Sequence, residues 1–275
     1  MIQNSIGYGT FPNKDELVNL LPIVDELGYA LVDTSDDYYN EKYVSEGLKS
    51  THIKIFSKFS LVQNCLKFNE SFAEQNKIFR NNGLKINCYL IHWPYPFLYK
   101  KIWKKMEDLY LNGEVDEIGV CNFNVKALKE LLQGCRVKPM YNEIELHPLF
   151  QQKDVTKFCK ENDIKIISYS PFARMDKELM ENDEIKKIAE SHETTVINVI
   201  LKWNLQKGFI PIPSTKNVKH LNEMSPKTLE KLQLSDTEIC LIDSLDKGKR
   251  VRFDPNTYFG KKTKIKLFLY SVLMR

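Results

Sequence analysis

The chain has 275 residues, 43% hydrophobic and 28% charged, the proportions of a folded globular protein rather than a disordered one. Its 40 basic and 36 acidic residues leave a net charge of +4 on a mixed surface, which gives no argument for nucleic acid as a partner. The six cysteines, at 65, 88, 121, 135, 159 and 240, form no CxxC pair and no zinc spacing, so no metal is expected and reduced thiols in a cytoplasmic protein are. No basic segment followed by a long apolar one opens the chain, so a signal peptide is not expected. The longest clean apolar run, Leu267 to Met274, is too short to span a bilayer.

In chain order, a strand at 5–8 precedes a helical pattern of Leu17, Leu20, Leu21, Val24 and Leu27, with Asn13 and Glu16 spaced as a capping box. Pro22 inside that pattern predicts a kink or an early start. Strands follow at 30–33, 53–58, 88–92 and 117–120. Asn124 then opens a helix whose Ala127, Leu128, Leu131 and Leu132 share one face, with Gly134 placed to stop it. After strands at 140–145 and 165–169, a helix marked by Val196, Val199, Ile200 and Trp203 ends at Gly208, before a last strand at 209–212. Eight strand-then-helix units without a Pro/Gly/Ser-rich linker predict an α/β fold of one domain, a (β/α)8 TIM barrel over residues 1–260. A doubly wound open sheet is the runner-up. It fails because Gly7-Tyr8-Gly9-Thr10 lacks a third glycine and leads into Phe11-Pro12 rather than a helix.

Such barrels carry their chemistry at the C-terminal ends of the strands. The second strand ends in Asp33, with Tyr38 in the loop beyond it; the third ends in Lys58 and the fourth in His92. Singly, each has an ordinary explanation: a turn cap, a solvated lysine, a half-buried ring beside Trp93. Together they make chemical sense. A tyrosine with a pKa of roughly 10 is a reluctant proton donor, and a nearby lysine cation lowers that value. Asp33 would supply the lysine's counter-charge, and His92 would hydrogen-bond the oxygen that receives the proton. The set suits carbonyl reduction, in which hydride reaches carbon while Tyr38 protonates oxygen. No side chain donates hydride, so a nicotinamide cofactor is required.

The segments GYGTF, GYALVDTSDDYYNE, IFSK, YLIHWP, IGVCNF, YNEIELHP, ISYSPF, LKW and IPIPST together resemble the aldo-keto reductases over nearly the whole chain, the short prokaryotic-type members above all. The resemblance implies an NAD(P)H-dependent reductase of aldehydes or ketones with Tyr38, Asp33, Lys58 and His92 as its catalytic residues. Tyr39 stands where the family usually has glycine. Histidine rather than glutamate at the fourth catalytic position favours carbonyl over steroid double-bond reduction. For the cofactor, NADPH with NADH as the alternative, the resemblance implies contacts from Gly9, Thr10, Asp33, Cys121, Asn122, Glu143, Tyr169, Ser170 and Phe172, and from Ser214, Thr215, Lys216, His220 and Glu223. Asn122 would hold the carboxamide and Tyr169 would stack on the ring. Cys121 replaces a usual serine and Glu143 a usual glutamine; a carboxylate accepts from the carboxamide but cannot donate as an amide does, and it favours the positively charged oxidised cofactor. Ser214 and His220 replace the lysine and arginine that grip the 2′-phosphate of NADPH, and Met224 departs from the family's EN pair. Lys216 and Lys219 stand near enough to substitute in part. Phe11, Tyr39 and Trp93, with Tyr8 and Phe97, are candidates for the wall of the substrate pocket.

The segment after Tyr169, SPFARMDKELMENDE, is too short for the long cofactor-covering loop of some relatives. Residues 261–275, KKTKIKLFLYSVLMR, match no family pattern; a basic start and an apolar end suit a membrane surface or a partner, and packing along the barrel is the expectation. The expected partner is a small carbonyl compound, without nucleic acid or membrane contact, for a cytoplasmic monomer or weak oligomer. The alternative is a regulatory or interaction subunit that binds the cofactor with little turnover. The altered cofactor positions favour that alternative, and the intact catalytic set opposes it. A metal hydrolase is weaker still, because His92 and His147 have no carboxylate cluster around them.

Overall fold

A computed structural model describes residues 5–61 and 67–273; residues 1–4, Cys65 and the end of the apolar run at Met274 lie outside that range. The elements in order are β1 (Gly7–Gly9), α1 (Leu17–Glu26), β2 (Leu31–Asp33), α2 (Glu41–Leu48), β3 (Lys54–Phe59), α3 (Phe68–Arg80), β4 (Ile86–Ile91), α4 (Tyr99–Leu111), β5 (Glu117–Cys121), α5 (Val125–Leu132), β6 (Tyr141–Glu145), α6 (Lys153–Glu161), β7 (Lys165–Tyr169), α7 (Lys177–Met180), α8 (Asp183–Ser191), α9 (Val196–Gln206), β8 (Ile210–Pro211), α10 (Val218–Glu223), α11 (Pro226–Glu230), α12 (Asp236–Asp243) and α13 (Lys261–Leu273). The strands pair in parallel, each with the next, from β1 to β8. The Gly9 N–H donates to the Pro213 carbonyl at 2.9 Å, which brings the end of β8 back to β1 and closes the (β/α)8 barrel. No helix among the described residues is long and apolar enough to cross a membrane.

Strand side chains alternate between the barrel interior and the surrounding helices. Leu31, Phe56, Cys88, Leu90, Tyr141, Ile167 and Ile210 fill the interior, while Val32, Ile55, Tyr89, Ile91, Ile118, Val120 and Ile144 join the larger core beneath the helices. Gly119 keeps this interior tight, since a Cβ there would lie 2.6 Å from Leu90 and 2.8 Å from the Tyr141 carbonyl. Two residues past the inward Leu31, Phe56, Leu90, Tyr141 and Ile167 come Asp33, Lys58, His92, Glu143 and Tyr169. The pleat therefore delivers the polar groups together at the C-terminal mouth.

The predicted end signals operate at α5, where the Asn124 side chain accepts from the Ala127 N–H, and after α9, where Gly208 takes a φ of +79°. The Asn13–Glu16 capping box is not formed. Asn13 is buried, and its amide donates to the Tyr8 hydroxyl at 2.9 Å and the Ser214 hydroxyl at 3.3 Å. A buried amide left unpaired costs more than a missing cap, so the long-range bonds win. Glu16 instead pairs with Lys216, and α1 continues through Pro22 to Glu26. The tail forms α13, whose Leu267 is buried against the barrel, as packing requires.

Candidate active site

The mouth of the barrel holds a cavity of about 400 Å³. At its base the Lys58 ammonium is fully buried. It donates to Asp33 Oδ1 and Oδ2 at 2.5 and 2.6 Å, to the Thr34 carbonyl at 3.1 Å and to the Tyr38 hydroxyl at 3.4 Å. Glu143 Oε1 lies 3.4 Å from the same nitrogen. Thr10 fixes the end of β2 from the other side, its hydroxyl donating to the Asp33 carbonyl at 2.9 Å. Tyr38 ends a short 3-10 turn, Asp36–Tyr38, and its ring packs between Phe11, at 5.1 Å, and His92, edge-on at 5.9 Å. His92 Nδ1 meets the Ser35 hydroxyl at 3.2 Å and the Asp37 carboxylate at 3.3 Å. The four predicted catalytic residues are thus brought into one cluster.

Their electrostatics differ from the sequence expectation in one respect. Burial pushes the Tyr38 phenol well above its ordinary value, and the downward pull of Lys58 does not offset that burial and the charges of Asp33, Glu143 and Asp37. Tyr38 is therefore held protonated. Lys58 stays charged, because Asp33, joined by Glu143 when that is ionised, outweighs the burial that works against it. Burial, and then the charge of Asp33, push Glu143 up to about 8. Burial works to raise Asp37, but the hydrogen bond from His92 and its charge prevail and hold it at about 2.

The cofactor candidates divide. Gly9, Asp33, Asn122, Glu143, Tyr169, Ser170, Phe172 and Ser214 line the cavity. Asn122 sits at φ +64°, its amide donating to the His92 carbonyl at 3.1 Å and accepting from the Tyr169 hydroxyl at 2.7 Å. Thr10 and Cys121 are fully buried and do not line it; burial also drives the Cys121 thiol well above its ordinary value. Thr215 and Lys216, on the β8–α10 connection, and His220 and Glu223, within α10, lie outside the cavity, with Lys216 paired to Glu16 and Lys219 3.8 Å from Glu223. Of the substrate-pocket candidates, Phe11 and Trp93 line the cavity. Tyr39 does not: it is 61% exposed, in the left-handed region at φ +55°.

Several lining residues escaped the sequence reading. The turn after β7 is short, as expected, and Ala173, Arg174 and Met175 pass through it with φ of +47°, +57° and +61°, presenting Arg174 and Met175 to the cavity. Arg252 and Phe253 come from the far end of the chain. They are held there by the buried Glu145, which accepts from the Val251 N–H at 2.6 Å and the Arg252 N–H at 3.1 Å. Nothing local in ELHP signals that role, because its partners are a hundred residues away. Asp37, which orients His92, was legible only as loop polarity.

The donor set fits a nicotinamide cofactor. Glu143 Oε2 is buried without a hydrogen-bond partner, beside the immobilised Asn122 amide, which leaves an acceptor for a carboxamide. At Gly9 a Cβ would lie 3.1 Å from the Ile212 carbonyl, so glycine lets β1 approach the chain at the end of β8. Among the described residues no group of His, Cys, Asp and Glu could hold a metal.

A parallel barrel whose mouth joins a phenol, a buried ammonium and an imidazole suits the reduction of carbonyl compounds. The family model described as "Aldo/keto reductase family" matches residues 3–247, and the chain belongs to that family. It is similar to the glyoxal reductase of Bacillus subtilis, 33% identical over 91% of each chain, and to the 9,11-endoperoxide prostaglandin H2 reductase of Trypanosoma cruzi, 31% identical over 92% of each. Among solved structures, a mutant of Gox0644 in complex with NADPH superposes with a TM-score of 0.85 at 32% identity, covering 92% of this chain and 93% of that one.

Proposed function

We propose that this aldo-keto reductase uses NADPH to reduce a small aldehyde or ketone, with Tyr38 as the proton donor. The observation that carries the reading is the buried Lys58 ammonium, fixed by Asp33 and aimed at the Tyr38 hydroxyl from 3.4 Å. When bound, the nicotinamide supplies hydride. Tyr38 reaches the reaction protonated, and Lys58 stabilises the phenolate as the proton leaves for the substrate oxygen. Asp33 keeps Lys58 charged inside the barrel. His92, oriented by Asp37 and Ser35, faces the same oxygen, while Asn122, Glu143 and Tyr169 orient the cofactor ring. A cavity of about 400 Å³ and the similarity to a reductase of glyoxal support small carbonyl substrates. The free cysteines Cys88, Cys121, Cys135, Cys159 and Cys240 support a reducing, cytoplasmic setting.

The test is loss of nicotinamide absorbance with a panel of small aldehydes. Tyr38→Phe is expected to lower turnover by about 10²–10⁴ while cofactor still quenches protein fluorescence. Near-normal turnover in Tyr38→Phe, with loss in Tyr39→Phe, would show that the proton donor had been assigned to the wrong tyrosine.

A further inference from the structure

The helix α13 follows the residues that the family model matches and adds a surface of its own. One side packs on the barrel: Leu267 is buried, Tyr270 is half-buried, and the Ser271 carbonyl accepts a hydrogen bond from Lys101 of α4 at 2.5 Å. Another side carries Ile265, Phe268, Leu269 and Val272, the i, i+3, i+4, i+7 spacing that aligns residues on one helical face. They are 63%, 51%, 56% and 67% exposed. Phe97, itself 56% exposed, extends the patch through an edge-to-face contact with Phe268. Helices that serve only to close a core turn such a stripe inward, and a contiguous apolar patch left in solvent marks a contact surface.

Charge decides the occupant. The helical repeat sets Lys262 and Lys266 along one flank of the stripe and Lys264 along the other. Lys101 and Lys104 are exposed on the neighbouring α4, as is Lys100, which lies 3.7 Å from Glu130. Neither 93–106 nor 255–275 contains a single Asp or Glu. A second copy docked face to face would set these lysines against themselves, and a neutral apolar partner would have no use for them. We infer that this face docks on an anionic lipid surface, the four apolar side chains entering the interface while the flanking lysines meet phosphate headgroups. Packing along the barrel, the expectation from sequence, accounts for Leu267 and Tyr270 but leaves this outer stripe unused.

The full chain is to be sedimented with phosphatidylcholine vesicles and with vesicles that also contain phosphatidylglycerol. Wild type is expected to sediment with the anionic vesicles alone, less so as salt rises. Leu269→Glu/Val272→Glu and Lys262→Glu/Lys264→Glu should each weaken that association by roughly tenfold or more. All four positions are exposed, so an unchanged thermal midpoint and unchanged reduction of a soluble aldehyde will show that the fold persists. Equal binding to neutral vesicles, or anionic binding that survives both pairs of substitutions, overturns the proposal. So does a wild-type chain that stays in the supernatant, whether an acidic protein or a second copy then proves to cover the stripe.

Discussion

Two carboxylates, Asp33 and Glu143, face the buried ammonium of Lys58, at 2.5 and 3.4 Å. One cation cannot compensate both equally. Asp33 meets it with both oxygens, whereas Glu143 leaves Oε2 without a hydrogen-bond partner and titrates at about 8. Around neutral pH Glu143 is mostly protonated, and above 8 it adds a negative charge beside the ring-binding subsite. An ionised Glu143 attracts the positively charged oxidised nicotinamide and does nothing comparable for the neutral reduced ring. Binding of NADP⁺ should therefore tighten relative to NADPH as pH rises through about 8. Glu143→Gln should remove that dependence. Fluorescence titrations of both cofactors across this range are the measurement, and parallel curves for wild type and variant would refute the assignment. Lys58→Met, by contrast, strips the cation from both carboxylates and from Tyr38, and should lower turnover at every pH, by about 10² or more.

At the scale of elements, the eight strands were legible because inward and outward positions alternate and turn residues punctuate them. Strand boundaries moved by at most two residues: the first, read at 5–8, runs Gly7–Gly9, and the seventh, read at 165–169, did not move. What short spacing could not reveal were partners far along the chain, such as Asn13 with Tyr8 and Ser214, or Glu145 with residues 251 and 252. The β8–α10 connection shows the same limit. Ser214 there and His220 on α10 are exposed, and Lys216, one of two lysines placed to substitute for the missing phosphate clamp, is paired with Glu16. Ser214→Lys with His220→Arg should tighten NADPH and leave NADH nearly untouched, since NADH has no 2′-phosphate. Each charge-assisted contact is worth roughly 1.5–3 kcal/mol. Titrating both cofactors at two ionic strengths tests it; a wild type that already prefers NADPH strongly would mean that another cation, such as Arg174 or Arg252, grips the phosphate. Tyr39, at φ +55°, occupies a conformation that glycine adopts without strain. Tyr39→Gly should raise stability by up to about 1 kcal/mol in a denaturant titration, the relieved strain exceeding the added freedom of the unfolded chain.

At the scale of the whole molecule, three carboxyls, Glu41 and Glu143 buried and Asp36 half-buried, act on stability in one direction. Burial pushes Asp36 from 3.8 to about 7 and Glu41 from 4.5 to about 8, and the neighbouring charges of Asp37 and Asp36, respectively, add to this. Glu143 moves likewise from 4.5 to about 8. A carboxyl whose pKa is raised by folding holds its proton in the native state while the unfolded chain has lost it, so stability falls as pH climbs between the two values. Asp37 has the opposite sign; its contribution is present above 3.8 and is lost as pH falls toward about 2. The window for decline is therefore about pH 4 to 8, and each pKa unit retained corresponds to about 1.4 kcal/mol. The shifts of Asp36 and Glu41 could not be read from DTSDDYYNE, where both look like ordinary loop polarity; only the packing against Ser60 and Ser57 removes them from water. Glu41→Gln and Glu143→Gln keep the shape and remove the titration. Wild type should melt lower at about pH 8.5 than at about pH 5.5, and the double variant should show a narrower gap by raising the alkaline midpoint more than the acidic one. Equal wild-type midpoints, or a midpoint that rises with pH, would mean that these carboxyls are ionised in the native protein near neutrality, and that other groups compensate their burial.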